Sequence, residues 1–232
     1  MDIKENVISV TPIAYIRNDI GGKFGAPRQS GLCPSLMSDI VFLKEYSDDN
    51  AFRGLEDFSH LWIIWGFSMN GLYSWSPTVK PPRLGGNRRM GVFATRSPNR
   101  PNPIAISSVR IEGMGRSRDG HKIITVSGAD MADGTPVYDV KPYIPYTDSR
   151  PDARGGFSER GLLHVLEVEI PDGLMNMIPE EKRQALREIL ACDPRPSYLP
   201  DGELPYGFPY AGMDIRFRVK DGRLTVFEIV PL

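Results

Sequence analysis

Val92-Phe93-Ala94-Thr95-Arg96-Ser97-Pro98-Asn99-Arg100-Pro101-Asn102-Pro103-Ile104-Ala105-Ile106 is the stretch on which the reading of this chain turns. Each proline fixes its own φ and pushes the residue before it toward extended geometry, so Ser97, Arg100 and Asn102 are held out of helix. The apolar runs Val92-Phe93-Ala94 and Ile104-Ala105-Ile106 read as buried strands that anchor a stiff loop at both ends. Between them arginines and asparagines are presented in a set order. A rigid, cationic, donor-rich loop carried by strands is a candidate ligand site.

Outward from this loop, strand-length apolar segments recur at 39–43, 61–67, 90–94, 104–111 and 121–128, with Gly, Pro or Asn between them. Residues 7–16, broken by Pro12, read as short extended pieces, and a short helical turn fits around 49–55. Seven or so strands at this spacing predict a mainly β fold built on a closed or nearly closed β-barrel. Arg118-Asp119-Gly120-His121 is a hairpin turn in which Asp-Gly supplies positive φ. After Tyr146 the texture becomes polar and glycine-rich, which places a boundary between a barrel domain over 1–150 and a small α+β domain over 151–232. The second part holds a strand over 163–170 and a helix opening on Pro179-Glu180-Glu181, where proline and acids suit a helix N-terminus. Ala185, Leu186, Ile189 and Leu190 form the buried stripe of that helix. A hairpin of 214–219 and 224–230 then turns on Asp221-Gly222.

At 232 residues and 25.9 kDa the chain suits one domain with a smaller appendage. Cys33 and Cys192 lie far apart without a Cys-x-x-Cys pattern, so they read as structural thiols rather than a zinc site or disulfide framework. His60, His121 and His164 show no metal-ligand spacing, and no metal is expected. His60, entering an apolar strand, reads as a hydrogen-bonded core residue. The start of the chain has no apolar core of signal-peptide length, and the patch 62–67 is too short to span a bilayer. The expectation is a cytoplasmic protein without membrane association.

The formal net charge is only -1, but its distribution is uneven. No acidic residue stands between Asp57 and Glu112, an interval that carries Lys80, Arg83, Arg88, Arg89, Arg96, Arg100 and Arg110 among Trp62, Trp65, Tyr73, Trp75 and Phe93. This is either a solvated face balanced by Asp48, Asp49, Glu56 and Asp57, or an RNA or nucleotide footprint. Leu84-Gly85-Gly86-Asn87 lacks the Gly-Lys-Ser/Thr of a P-loop, and neither a Gly-x-Ser-x-Gly elbow nor a Gly-x-Gly-x-x-Gly fingerprint occurs. Common nucleotide folds and serine hydrolases are therefore disfavoured.

Two further loops carry chemistry. Asp130-Met131-Ala132-Asp133-Gly134-Thr135-Pro136 holds two carboxylates, although Asp and Gly are also ordinary turn residues and Asp130 could simply cap the turn. The strand-like Val137-Tyr138-Asp139-Val140-Lys141-Pro142-Tyr143 after it brings Asp139, Lys141 and Tyr143 to one face by the two-residue period. Acid, amine and phenol together could orient a proton transfer, or could equally be a surface ion pair beside a packed tyrosine. Phe24-Gly25-Ala26-Pro27-Arg28-Gln29-Ser30-Gly31 is a third loop, with Arg28 and Gln29 at its tip.

Taken with Arg53-Gly54-Leu55-Glu56-Asp57-Phe58-Ser59-His60-Leu61-Trp62 and Asp133-Gly134-Thr135-Pro136-Val137-Tyr138-Asp139-Val140-Lys141-Pro142-Tyr143, the opening loop resembles the TsaA-like (TrmO, YaeB) family. The likeness covers about 7–148, and Asp193-Pro194-Arg195-Pro196-Ser197-Tyr198, Tyr206-Gly207 and 214–219 resemble the C-terminal module of its bacterial members. The resemblance implies a β-barrel methyltransferase that uses S-adenosylmethionine, acts as a homodimer and N6-methylates threonylcarbamoyl-adenosine beside the tRNA anticodon. Donor contacts implied by position are Pro27, Arg28 and Gln29, then Ser68 and Met69, Arg96, Ile106, and Asp130, Met131, Ala132 and Asp133. This chain departs from the pattern where Ser68-Met69 replaces a His-Gln pair and Ala105 stands where glycine is usual.

A carboxylate such as Asp130 or Asp133 suits a sulfonium, and Ile106 or Met131 suits an apolar wall for its adenine and methylene groups. Asp139, Lys141 and Tyr143 become the candidate catalytic cluster, with Arg100, Asn102, Arg88 and Arg89 as substrate contacts. The guanidinium of Arg96 or Arg100 offers the planar fork suited to a threonyl carboxylate. A splayed anticodon-loop base would stack on an aromatic while Lys80, Arg83, Arg88 and Arg89 meet phosphates. Two other readings stand beside this one: a non-enzymatic RNA- or nucleotide-binding module, and a small-molecule methyltransferase on the same barrel.

Overall fold

In the computed structural model, which describes residues 7–22, 24–67, 75–81, 88–161, 165–195 and 202–232, alternating apolar residues in the first two thirds of the chain close into a barrel. Its strands are β1 (Ala14–Arg17), β2 (Met37–Phe42), β3 (His60–Gly66), β6 (Ile104–Arg116), β7 (Lys122–Ser127) and β8 (Pro136–Pro142), with a separate two-stranded ribbon of β4 (Thr78–Val79) and β5 (Met90–Gly91). Around the barrel the order is β1-β2-β7-β6-β3-β8, and every neighbouring pair is antiparallel. Closure leaves none of the six with an unpaired edge. Ile16, Ile40, Leu61, Ile63, Val109, Ile124, Val126 and Val137 point inward and fill the interior. The β6–β7 turn places Gly120 at φ 86°, the positive value that the Asp-Gly pair predicts.

Antiparallel alternation also assigns the connections to two ends. The ends of β1, β3 and β7 and the starts of β2, β6 and β8, between which three of the connections run, all lie at one mouth. The turn at 117–121 and the 43–59 connection, with its 3₁₀ turns Lys44–Tyr46, Asp49–Phe52 and Leu55–Asp57, lie at the other.

The strand expectation over 92–94 needs correction. Val92–Ala94 is a 3₁₀ turn, closed by the Thr95 amide and hydroxyl donating to the Val92 carbonyl. Val92 is buried as expected, whereas Phe93 is 73% exposed. Ile104 and Ile106 are strand residues but not buried ones, because they fall on the outward phase of β6 while Ser107 and Val109 take the inward phase.

Beyond the short α1 (Pro145–Asp148), the chain builds β9 (Glu167–Glu169), α2 (Asp172–Met175), α3 (Glu180–Ala191), β10 (Gly202–Tyr210), β11 (Met213–Lys220) and β12 (Arg223–Pro231). The sheet order is β10-β11-β12-β9, with β9 parallel to β12. The buried stripe of α3 is Ala185, Leu186, Ile189 and Leu190, as its periodicity predicts. Asp221 and Gly222 both take positive φ in the β11–β12 turn. Strand β10 is unannounced in the sequence because Pro205 and Pro209 interrupt it. It tolerates them at the sheet edge, where β11 is its partner strand and Tyr210 adds an isolated bridge to Ile20.

The core under this sheet also takes in Ile20, Cys33, Leu36 and Ala132 from the barrel loops. The C-terminal sheet therefore sits on the same mouth from which those loops emerge.

Candidate functional site at one mouth of the barrel

The three loops at this mouth converge on Asp130. The Ser107 hydroxyl, pointing inward from β6, donates to Asp130 Oδ1 at 2.6 Å and accepts from the indole N–H of Trp65 at 3.0 Å. Burial pushes the Asp130 carboxyl above the usual carboxylate range, against the opposing pull of the Ser107 hydrogen bond and the Arg96 charge. Arg96 in turn donates to Gln29 Oε1 at 2.6 Å. Gln29, Arg96 and Asp130, from three separate loops, are thus one electrostatic unit.

The Asp130 loop is fixed from beneath by Asn18. Its side-chain amide donates to the Met131 carbonyl at 2.9 Å and to Ser38 Oγ at 3.0 Å, while its backbone N–H donates to Asp133 Oδ1 at 3.0 Å. Met131 and Ala132 turn their side chains into the barrel core and the C-terminal core respectively. What they offer a ligand is backbone, so the expected Met131 side-chain wall is not available. Pro27 is buried and Asp133 is exposed.

Arg28 is placed differently from the expectation that it faces a ligand. Its guanidinium Nη2 donates to the carbonyls of Asp193 and Arg195, at 3.1 and 3.0 Å, just past the end of α3. The Ser35 amide and hydroxyl donate to Glu188 at 2.8 and 2.7 Å, and Lys182 pairs with Asp19 at 2.7 Å. Cys33 and Cys192 bring their sulfurs to 3.9 Å as free thiols, and the adjacent sulfur together with burial pushes the Cys33 thiol far up. The 18–36 loop is clamped to the C-terminal part by charge, hydrogen bonds and packing.

Asp139, Lys141 and Ile106 lie elsewhere. Registers Ile64↔Asp139 and Ile64↔Ile106 put Asp139 and Ile106 in one row on the outer surface, whereas Ile63↔Ser107 is an inward row. Lys141 Nζ pairs with Asp139 at 2.8 Å, with side chains 62% and 43% exposed. Tyr143 packs on Trp62 and His60, with ring centroids 5.6 and 6.2 Å away. His60 is accordingly a half-buried strand-end residue bonded to Ser59, not a core one. Within one chain the structure unites Gln29, Arg96 and Asp130, and it sets Asp139, Lys141 and Ile106 on the opposite face of β3 and β6.

The stiff loop is braced by its own backbone: Arg100 Nη1 donates to the Thr95 carbonyl at 3.3 Å, Ile104 N to the Asn102 carbonyl at 2.8 Å, and Ser76 N to the Asn99 carbonyl at 3.2 Å. Arg88 and Asn102 are exposed, and Arg89 donates to Thr78 Oγ1 at 2.8 Å. Three of the four carboxylates named as possible counter-charges are engaged elsewhere. Asp49 pairs with Arg116 and Lys122, Asp48 caps a 3₁₀ turn and Glu56 accepts from Gly54 N. Ser68, Met69, Arg83, Tyr73 and His164 lie outside the described residues.

Neither Ser107 nor Asn18 is singled out by the sequence, and Trp65 stands there only among the aromatics of the cationic interval. Ser107 had a legible signal, a polar residue at an inward position of a strand between Ala105 and Val109. Asn18, after β1, had none that separates it from any other turn residue.

No group of His, Cys, Asp or Glu among the described residues is arranged to hold a metal ion, and none of their helices is long and apolar enough to cross a membrane.

Fold and site define a small β-barrel protein whose candidate site is assembled from loops at one mouth and braced by a C-terminal sheet. The tRNA-methyltransferase O N-terminal domain profile matches residues 15–149 and the TrmO C-terminal domain profile residues 165–232, so the chain belongs to the TrmO family. It is 40% identical to the tRNA (adenine(37)-N6)-methyltransferase of Escherichia coli strain K12, over 94% of this chain and 96% of that relative. It is 37% identical to a putative S-adenosylmethionine-dependent methyltransferase, RcsF, of Pseudomonas aeruginosa, over 90% and 91% respectively. A crystal structure of TrmO from Pseudomonas aeruginosa superimposes with a TM-score of 0.75 at 31% identity, covering 97% of this chain and 99% of that one.

Proposed function

We propose that this chain is an S-adenosylmethionine-dependent tRNA methyltransferase that adds a methyl group to N6 of threonylcarbamoyl-adenosine beside the anticodon. The observation that carries the reading is the Trp65–Ser107–Asp130 line meeting Arg96 and Gln29 at one mouth. A partly desolvated carboxylate suits a ligand that brings a sulfonium and an ammonium, because that positive charge favours the ionised form which burial disfavours. Asp130 and the backbone of 131–133 would hold the donor, with Gln29 and Arg96 closing the polar side. When bound, S-adenosylmethionine supplies an electrophilic methyl group. The protein's own contribution is mainly positioning, which alone is worth a large part of a transfer barrier. Ser107 keeps Asp130 oriented, and Asn18 keeps the loop from relaxing.

The acceptor nitrogen is acylated and must lose its proton. Asp139, oriented by Lys141, is the proposed recipient, with Tyr143 behind it. Because Asp139 and Asp130 lie on opposite faces of β3 in one chain, this assignment goes with a homodimer in which one protomer's outer face completes its partner's mouth. Ile104 and Ile106, 42% and 47% exposed on that outer face, support such an interface. Arg88, Arg89, Arg100 and Asn102 are assigned to the anticodon loop. The proposed domains are the barrel over 1–150 and the C-terminal module over 151–232, and the proposed location is the cytoplasm.

Incubation with S-adenosylmethionine and tRNA carrying threonylcarbamoyl-adenosine, followed by nucleoside mass spectrometry, tests the reading. A mass gain of one methyl on that nucleoside is expected. An unchanged nucleoside with demonstrably folded protein would overturn it.

A further inference from the structure

Two aromatic side chains on this half of the molecule are exposed where burial would be the rule. Trp75 is 52% and Phe93 73% exposed, yet their rings stack on each other with centroids 6.0 Å apart and planes at 30°. The pair is rigidly mounted. Ser76 N donates to the Asn99 carbonyl at 3.2 Å and Val92 N to the Pro77 carbonyl at 3.0 Å, so both rings ride on the same braced unit as the β4–β5 ribbon. Holding large apolar rings in water without covering them is costly, and a pre-stacked pair loses little further freedom when a third flat group joins it.

The surroundings select the kind of flat group. Arg89 donates to Thr78, three residues from Trp75, Arg88 is exposed beside it, and Arg96 follows Phe93 by three residues. Among the described residues no carboxylate forms an ion pair with Arg88, Arg89 or Arg100, and the whole interval from Phe58 to Ile111 is free of acid. Stacked aromatics set among unneutralised arginines suit single-stranded nucleic acid, whose bases stack while its phosphates meet the cations. At 6.0 Å the two rings leave no room for a base between them, so the outer faces are the ones available.

Three residues of extended chain reach about 10 Å, which keeps Phe93 within one nucleotide's neighbourhood of Arg96 and the proposed methyl-transfer site. We infer that Trp75 and Phe93 form a stacking platform for an unpaired base of the substrate RNA, adjacent to the adenosine being modified. The inference rests on the tRNA reading and specifies how that substrate is held.

An anticodon stem-loop RNA carrying threonylcarbamoyl-adenosine is titrated into the wild type and variants while tryptophan fluorescence is followed. Trp65 is buried in the barrel and Trp62 is half-buried against Tyr143, so Trp75 is assigned the part of the RNA quenching that is lost in Trp75→Phe, which retains most of the affinity. Trp75→Ala and Phe93→Ala each weaken RNA binding and raise the KM for RNA about tenfold, with donor binding by calorimetry unchanged. Trp75→Leu keeps apolar bulk but no flat face, and is expected to behave like the alanine variant. If leucine restores wild-type RNA affinity, or if the alanine variants alter only the oligomeric state in sedimentation, the patch is a protein contact and the inference fails. RNA binding and quenching without methylation by the wild type would uphold the platform while removing the methyltransferase reading; methylation with unchanged KM in the alanine variants would do the reverse.

Discussion

The mouth and the outer wall of this barrel carry the same kinds of residues in opposite circumstances. At the mouth, Gln29, Arg96 and Asp130 come from three loops far apart in sequence, and each is fixed by a partner the fold had to bring to it. On the wall, Asp139 and Lys141 are two residues apart on one strand, largely exposed, and pair simply because alternation puts them on the same side. The first arrangement needs the whole fold in order to exist, whereas the second would form on almost any solvent-facing strand. Long-range convergence onto a partly buried carboxylate is thus the stronger sign of a built site, and the wall pair acquires a role only through what is laid against it.

That contrast can be broken most sharply at Arg96. Arg96→Ala is expected to lower donor affinity by about ten- to a hundredfold, the worth of a charge-assisted contact, and to abolish detectable methylation. Its melting temperature should stay at the wild-type value, because the side chain is exposed and the loop is braced by its own backbone. Calorimetric titration and a thermal melt check this, and a lowered melting point would make Arg96 a structural residue.

A second test uses pH. Burial raises the Asp130 pKa in the folded protein, so its ionised form costs stability: the contribution is fully present below the unfolded value and is lost as pH rises through the folded one. Asp130→Asn should therefore be more resistant to denaturant than the wild type at neutral pH, with the advantage vanishing in acid. Donor binding should run the other way. Affinity in the wild type falls as Asp130 is protonated, at a pH above the ordinary carboxylate range, and the step is absent in Asp130→Asn.

The smallest effect belongs to the wall. Asp139→Asn is expected to change stability by no more than about 0.5 kcal/mol, as an exposed ion pair does, and to leave donor binding intact while slowing turnover. Denaturant titration and steady-state rates separate the two, and a wild-type rate would take Asp139 off the list of proton acceptors.

Much of the barrel was legible because inward and outward residues alternate and its hairpin turn is written in Asp-Gly. The helix stripe of Ala185, Leu186, Ile189 and Leu190 was legible for the same reason of periodicity. What escaped were features decided by neighbours. The phase of β6 sends Ile106 outward and Ser107 inward, and 3.6- or two-residue patterns cannot tell which side of a short apolar run faces the core when both sides are apolar. Strand β10 carries prolines that only an edge position permits. The Arg28 side chain, expected at the ligand, is claimed by carbonyls more than 160 positions away, a contact no local spacing reports.

Ile20, Cys33, Leu36 and Ala132 belong by sequence to the barrel connections and by packing to the core under the C-terminal sheet. Surface loops ordinarily fray on their own, at a small fraction of the global unfolding free energy. Here Ile20, Cys33 and Leu36 cannot lift away without exposing part of another core, so the amides of these residues should exchange with solvent as slowly as those of the sheet they are packed beneath. The most irregular stretch of the mouth is, in that sense, among the least free to breathe.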